Sequence, residues 1–115
     1  MLKTLYGFRE TPEFTKKLFK HLTDDEYAEF QWFLLNQPDY GDLIVGGTGV
    51  RKVRWKAKGR GKSGGVRVIY YLATAAGKIL LLNIFGKNEQ ADLTNEQLQQ
   101  ARGVVEQWKD EQKKL

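Results

Sequence analysis

The sequence predicts an α+β fold, in which an N-terminal helical hairpin packs on a small antiparallel β-sheet and a C-terminal helix follows. Apolar residues recur at helical spacing up to about residue 36 and again after residue 94. Between these regions, segments 50–56, 66–73 and 78–86 are rich in β-branched and aromatic residues. We expect one domain over residues 1–115, because a chain of this length can bury a hydrophobic core without staples.

The N-terminal region contains a strand signal and two helix signals. Residues 2–8 alternate weakly and predict a short first strand. Thr11-Pro12 supplies an N-cap and a proline at the first helical position. The apolar stripe of this helix comprises Phe14, Leu18 and Leu22. Residues 23–26 form a capping box that opens a second helix. Its shared apolar face comprises Tyr27, Phe30 and Leu34.

A loop over residues 39–49 leads into the three main strands. With or without the short first strand, the predicted sheet has three or four strands. A basic, glycine-rich tip joins the first two main strands, and residues 74–77 form a short hairpin connection between the second and third. A second capping box at 94–97 opens the C-terminal helix. Its inner face comprises Leu98, Ala101, Val105 and Trp108.

The basic segment, residues 51–67, is the most informative feature of the chain. It contains eight basic residues and no acidic one: Arg51, Lys52, Arg54, Lys56, Lys58, Arg60, Lys62 and Arg67. The formal net charge is +5, so the rest of the chain sums to about −3. Solvated faces usually mix both signs, which favours a surface that binds a polyanion over a merely hydrated one.

Strand parity predicts where these charges point. Val53 and Trp55 face one side of the sheet, and Lys52, Arg54 and Lys56 face the other. In the last strand, one fully apolar face is predicted from Leu80, Leu82 and Ile84. With helices packed on one face, the other would be a cationic groove. Trp55 and one of the tyrosines at 70 and 71 are more typical of a core than of a base-stacking platform.

Composition excludes several classes of function. The chain has no cysteine and one histidine, His21, which excludes thiolate and His-rich metal sites, and we expect no metal and no cofactor. Charged residues interrupt the N-terminus before any signal-peptide core forms, and the longest apolar run, 79–85, cannot span a bilayer. We therefore expect a cytoplasmic protein. Gly61-Lys62-Ser63 is no P-loop, since that motif requires glycine where Lys56 stands.

Several segments together resemble a known family. They are Gly49–Arg54, Gly59–Tyr71, Lys87-Asn88-Glu89 and Asp92-Leu93-Thr94. They are similar to those of RelE/HigB-type toxins of bacterial type II toxin–antitoxin systems, closest to the HigB-2 branch. The resemblance implies a ribosome-dependent mRNA endonuclease that inhibits translation, with a small α+β fold. It also implies two partners, the ribosome with its mRNA and a cognate antitoxin of the helix-turn-helix HigA-like kind.

The resemblance also implies the residues of the site. Lys52 and Arg54 match the paired basic positions before the tip, and Arg67 matches the arginine that opens the next strand. Lys87 lies at the end of the last strand. These four are the predicted catalytic residues. The predicted RNA-binding residues are Lys56, Lys58, Arg60, Lys62 and Asn88.

The sequence departs from the family pattern at three places. Asn88 stands where many members have an arginine, and Ser63 stands where a basic residue is expected. The late tyrosine or histidine of some members has no counterpart in Asp92-Leu93-Thr94. The assignment of proton transfer is therefore open between Lys52 and Lys87, one of which would need a pKa lowered by neighbouring cations to act as a base.

Two other functions fit the sequence. A toxin of the same fold could inhibit DNA gyrase by binding, as ParE relatives do, without cleaving RNA. A non-catalytic RNA- or DNA-binding module would also use a basic groove. The joint match at Lys52, Arg54, Arg67 and Lys87 favours the endonuclease.

Overall fold

A mixed β-sheet of five strands forms the centre of the computed structural model, which describes residues 6–57 and 65–114. The strands are β1 (Gly7–Glu10), β2 (Asp42–Leu43), β3 (Val50–Trp55), β4 (Val66–Ala73) and β5 (Lys78–Gly86). The helices are α1 (Pro12–His21), α2 (Asp24–Asn36) and α3 (Asn95–Lys113). The predicted α+β class, the helical hairpin and the last helix are therefore confirmed. Residues 2–5 of the predicted first strand and residues 58–64 of the predicted tip lie outside the described part.

The sheet order β1-β5-β4-β3-β2 departs from the predicted antiparallel arrangement at one edge. The pairs β2–β3, β3–β4 and β4–β5 are antiparallel, but β1 runs parallel to β5, with Gly7 beside Lys78. The expectation of a wholly antiparallel sheet is wrong here, because β1 joins a strand far along the chain and is not part of a hairpin. The two-residue strand β2 lies inside the predicted 39–49 loop, and two residues are too few to show a periodic pattern.

Helices cover both faces of the sheet, whereas helices on one face alone were expected. The first core joins α1 and α2 to β3, β4 and β5, through side chains such as Phe14, Phe30 and Val53. The second core lies on the opposite face, where Ala101 and Val105 of α3 pack with Ile69, Leu80 and Phe85. Lys52 and Arg54 have the parity of this second face, so the cationic surface lies on the α3 side of the sheet.

A register shift in β5 overturns one parity prediction. The shift lies between Ile69 and Tyr70 of β4, which pair with Asn83 and Leu81, so β5 carries one extra residue at that point. Leu80 and Leu82 belong to the second core, but Ile84 packs in the first. The three residues therefore do not form one face. A bulge inverts the alternation of a strand, and no residue type in this segment announces it.

Trp55 and Tyr70 pack in the protein interior, as expected for one tryptophan and one tyrosine. Tyr70 is fully buried, and its hydroxyl donates to the Pro38 carbonyl and accepts from the Gly41 N–H, both at 2.8 Å. The half-buried Trp55 packs against Phe30, with ring centroids 5.4 Å apart. Tyr70 therefore fixes the chain where it leaves α2 and enters β2.

Gly41 tests how tightly this junction is packed. A Cβ at this position would lie 2.8 Å from Cε1 of Tyr70 and 3.1 Å from the backbone carbonyl oxygen of Lys52 in β3. We expect Gly41→Ala to lower the free energy of unfolding by about 1–3 kcal/mol, since overpacking forces side chains or backbone to shift. Urea denaturation followed by circular dichroism measures the change.

Gly103→Ala is the matched control. Gly103 lies within α3, and nothing lies within 4 Å of a Cβ built there. We expect this substitution to raise the free energy of unfolding by about 0.5–1 kcal/mol, because glycine weakens a helix interior. Equal effects from the two substitutions would contradict the packing described at Gly41.

Candidate active site

Pairing between β3 and β4 brings three of the predicted site residues together. Arg54 lies directly opposite Arg67 in the register, and Lys52 lies opposite Ile69 on the same face. Opposed residues of antiparallel strands have Cβ atoms about 4.5–5.5 Å apart, so the two arginines are immediate neighbours. We call Lys52, Arg54 and Arg67 the basic cluster. Like charges placed directly opposite are destabilising, which is typical of a site kept for function.

Arg67 is the buried member of the cluster. Only 6% of its surface is exposed, and Nη1 donates to the Val66 carbonyl at 3.4 Å. Burial lowers the pKa of its guanidinium, the neighbouring Arg54 lowers it further, and Asp92 acts in the opposite direction. Arg54 is exposed. The cluster thus presents one solvent-accessible guanidinium beside one that the fold holds in place.

Lys52 is paired with a carboxylate that the sequence did not single out as functional. Its Nζ lies 2.8 Å from Oδ1 of Asp92, which precedes α3. The same oxygen accepts the Leu93 N–H at 2.8 Å. These two donors, Lys52 first, lower the pKa of the Asp92 carboxyl. The structure therefore sets a carboxylate beside Lys52, where the sequence predicted only neighbouring cations.

The turn after β5 carries Lys87 and Asn88, both exposed. The Lys87 N–H donates to the Gly65 carbonyl at 3.1 Å, which sets this residue beside the start of β4. Glu89 links this turn to α1, because its Oε1 accepts the Gly86 N–H at 2.9 Å and lies 2.9 Å from Nε2 of His21. Lys87 is thus at the same end of the sheet as Arg54 and Arg67.

The predicted RNA-binding residues are placed only in part. Lys56 is exposed and directly follows β3, and Asn88 lies in the turn after β5. Lys58, Arg60 and Lys62 lie outside the described residues, as does Ser63.

A groove of about 790 Å³ runs beside the basic cluster. One wall is the chain leading into and out of β2, where Tyr40, Leu43 and Val45 are exposed. The other side includes Lys52, Arg54 and Asp92. A partly cationic groove of this kind can accommodate a single nucleic-acid strand, with phosphates on the basic side and apolar contacts on the other.

Residues 6–57 and 65–114 contain no helix that is long and apolar enough to cross a membrane. The same residues hold no group of three or more His, Cys, Asp or Glu side chains placed to bind a metal ion. Two carboxylates near the basic residues are engaged by protein groups, Glu89 by His21 and Asp92 by Lys52.

Residues 39–115 match the family described as the RelE toxin of the RelE / RelB toxin–antitoxin system. This chain belongs to the RelE toxin family. The match includes β2 to α3 and every predicted site residue. The resemblance found in the sequence is confirmed at the level of the family, and placement in the HigB-2 branch stays a prediction. The protein is thus the toxin of a toxin–antitoxin system, and its partner is an antitoxin.

The fold is also that of a solved RelE toxin. A double mutant of E. coli toxin RelE in the free state superposes with a TM-score of 0.60, over 88% of this chain and 98% of that one. The two sequences are 13% identical. At this identity the likeness establishes the shared architecture, and the roles of individual residues must be argued from this toxin's own structure.

The sequence did not predict the acidic residues that lie beside the basic residues of the candidate site. Asp92 and Glu89 both lie in segments that carry the family resemblance, but neither was predicted as a site residue. Lys52 and Asp92 are separated by 40 positions, so no local pattern joins them. The available signal was the capping box at 94–97, which places Asp92 just before a helix that returns to the sheet.

Glu89 makes stability depend on pH. The Gly86 N–H, and after it the charges of His21 and Lys17, lower the pKa of Glu89 below its ordinary value of 4.5. Its contribution is therefore present above pH 4.5 and is lost as the pH falls through the lowered folded-state value. We expect Glu89→Gln to lower the melting temperature by a few degrees at about pH 7 and by much less at about pH 3. Thermal denaturation across this range measures it.

Glu111→Gln is the control, since Glu111 is an exposed carboxylate near the end of α3. Its effect on the melting temperature should be small and nearly independent of pH. A Glu89→Gln deficit that persists unchanged at the acidic end would show that the loss is not due to the Glu89 charge.

Proposed function

We propose that this RelE-family toxin is a ribosome-dependent endoribonuclease that cleaves translated mRNA and thereby inhibits translation. The observation that carries the proposal is the basic cluster, in which a buried arginine lies opposite an exposed one beside an open groove. The fold maintains two adjacent guanidinium groups, an arrangement that a bound phosphate would stabilise.

The proposed reaction is internal attack within the RNA. The 2′ oxygen forms a bond to the adjacent phosphorus, and the bond from phosphorus to the 5′ oxygen of the next nucleotide breaks. The products are a 2′,3′-cyclic phosphate and a free 5′-hydroxyl. Arg67, assisted by Arg54, donates to the non-bridging oxygens as negative charge grows on them. Burial of Arg67 makes these hydrogen bonds stronger than they would be in water.

Two proton transfers complete the reaction, and Lys52 and Lys87 are the proposed groups. One proton leaves the 2′-hydroxyl, and one is delivered to the 5′ oxygen that departs. Lys52 lies within the groove, and Lys87 approaches from the β5 turn at the same end of the sheet. This site is sparsely equipped for acid–base catalysis. In the proposal the ribosome compensates by holding the mRNA in the geometry for in-line attack.

Binding to the ribosomal complex is assigned to the surrounding basic residues. Lys56 and Asn88 flank the cluster, and the predicted contacts at Lys58, Arg60 and Lys62 extend it along the chain. These residues would contact the backbone of rRNA or mRNA, so affinity should fall steeply as salt rises. A helix-turn-helix antitoxin of the HigA-like kind is the proposed partner, and the cytoplasm, where mRNA is translated, is the proposed location.

The proposal is tested by primer extension on a translated mRNA, with and without ribosomes. We expect the wild type to cut at ribosome-positioned codons only. Arg67→Ala should reduce the cutting rate by about 100-fold or more, the usual loss when a donor to a developing oxyanion is removed. Arg67→Lys should also be slow, because lysine keeps the charge and loses the two-pronged contact.

The matched control is Arg9→Ala, which removes the same charge from an exposed position on β1. It should cut at the wild-type rate. Because Arg67 is buried, circular dichroism must show that each Arg67 variant remains folded. Intact mRNA in cells whose growth the wild type arrests would contradict the proposal and support gyrase inhibition. Salt-sensitive RNA binding without cleavage on ribosomes would support a non-catalytic module.

A further inference from the structure

Asp92 forms an ion pair with the basic cluster. Its Oδ1 lies 2.8 Å from the Lys52 ammonium, and its charge acts on Arg67 in the direction opposite to that of Arg54. The Asp92 side chain is 64% exposed and lines the same groove as Lys52 and Arg54. An anionic group thus already occupies the surface that the proposed function assigns to an RNA phosphate.

The backbone holds this carboxylate in place. Oδ1 of Asp92 accepts the Leu93 N–H at 2.8 Å, and the Asp92 carbonyl accepts from Nε2 of Gln90 at 2.8 Å. Gln90 in turn bonds to Gln97, whose side chain completes the capping box of α3. The position of Asp92 is therefore set by the start of α3 and does not depend on Lys52 alone.

We propose that Asp92 is a specificity-determining residue, which acts as an internal competitor for phosphate and weakens the binding of RNA that the ribosome does not present. The inference rests on the proposed function only for the identity of the polyanion. In the free toxin the Asp92 carboxylate neutralises Lys52. To bind Lys52, an RNA phosphate must displace the Asp92 carboxylate, and the RNA backbone must then lie close to the negative charge of Asp92. A ribosome-bound mRNA can bear this cost, because contacts elsewhere on the ribosome contribute to binding.

The energetic scale suits a competitor that can be displaced. Exposed ion pairs change an equilibrium by roughly 1.4- to 5-fold, so the contact between Lys52 and Asp92 is weak enough to exchange for a phosphate. Removal of the carboxylate also removes its repulsion toward RNA. We therefore expect Asp92→Asn to tighten the binding of free single-stranded RNA by about threefold to tenfold.

Salt dependence separates this mechanism from a general change of charge. Each phosphate that a protein cation neutralises on a single strand adds about 0.7 to the slope of log affinity against log salt concentration. Lys52 is already neutralised in the wild type and becomes available in Asp92→Asn. The slope should therefore steepen by about 0.7 in this variant.

The experiment measures the binding of labelled oligouridylate by fluorescence anisotropy over a salt series. Asp110→Asn is the matched control, since it removes the same charge from an exposed position on α3. It should change affinity by less than about twofold, with the slope unchanged. In a Lys52→Gln background, Asp92→Asn should have a smaller effect than in the wild type, which a double-mutant cycle detects.

Asparagine retains an oxygen that can accept the Leu93 N–H, so the Asp92→Asn variant keeps the local turn. If it fails to fold, Asp92→Ser offers a second neutral acceptor. The inference is overturned if Asp92→Asn binds RNA no tighter than Asp110→Asn and has the same slope. Failure of the proposed function is seen separately, as the absence of ribosome-dependent cleavage by the wild type.

Discussion

The juxtaposition of Arg54 and Arg67 across two adjacent strands is the constraint around which this toxin is organised. The register of β3 and β4 sets the two guanidinium groups side by side, and one of them is buried. Such a pair opposes folding on its own. Two features offset this repulsion. Most residues of β4 and β5 are apolar and buried, and the carboxylate of Asp92 lies at the edge of the cluster. The stability of the fold therefore depends in part on how the repulsion within the basic cluster is offset.

The fold was largely readable from the sequence because its elements carry local signals. Thr11-Pro12, Thr23-Glu26 and Thr94-Gln97 announced three helices, and each threonine caps its helix. The alternation at 50–56 correctly placed Val53 and Trp55 on the core side. Three features could not be predicted from the sequence: the parallel pairing of β1, the bulge in β5 and the packing of α3 on the second face. Each is decided by contacts between segments distant in the chain, which local patterns do not encode.

The candidate site divides in the same way. Strand parity placed Lys52 and Arg54 on one face, and the family resemblance added Arg67, which the register sets opposite Arg54. The partners of these residues could not. Asp92 reaches Lys52 only because α3 returns across the sheet, and Glu89 reaches His21 only because α1 ends beneath the β5 turn. The positions of these two carboxylates are thus a product of tertiary structure.

The parallel contact between the first strand and the last has a consequence for how the chain is made. The Thr11 hydroxyl, at the start of α1, donates to the Leu82 carbonyl 71 residues away. During synthesis the first strand emerges long before its partner. The apolar faces of α1 and α2 therefore remain exposed until β5 has left the ribosome and the sheet can form. The groove is completed later still, when the segment that leads into α3 has followed. The nascent toxin is therefore without its finished groove for most of its translation.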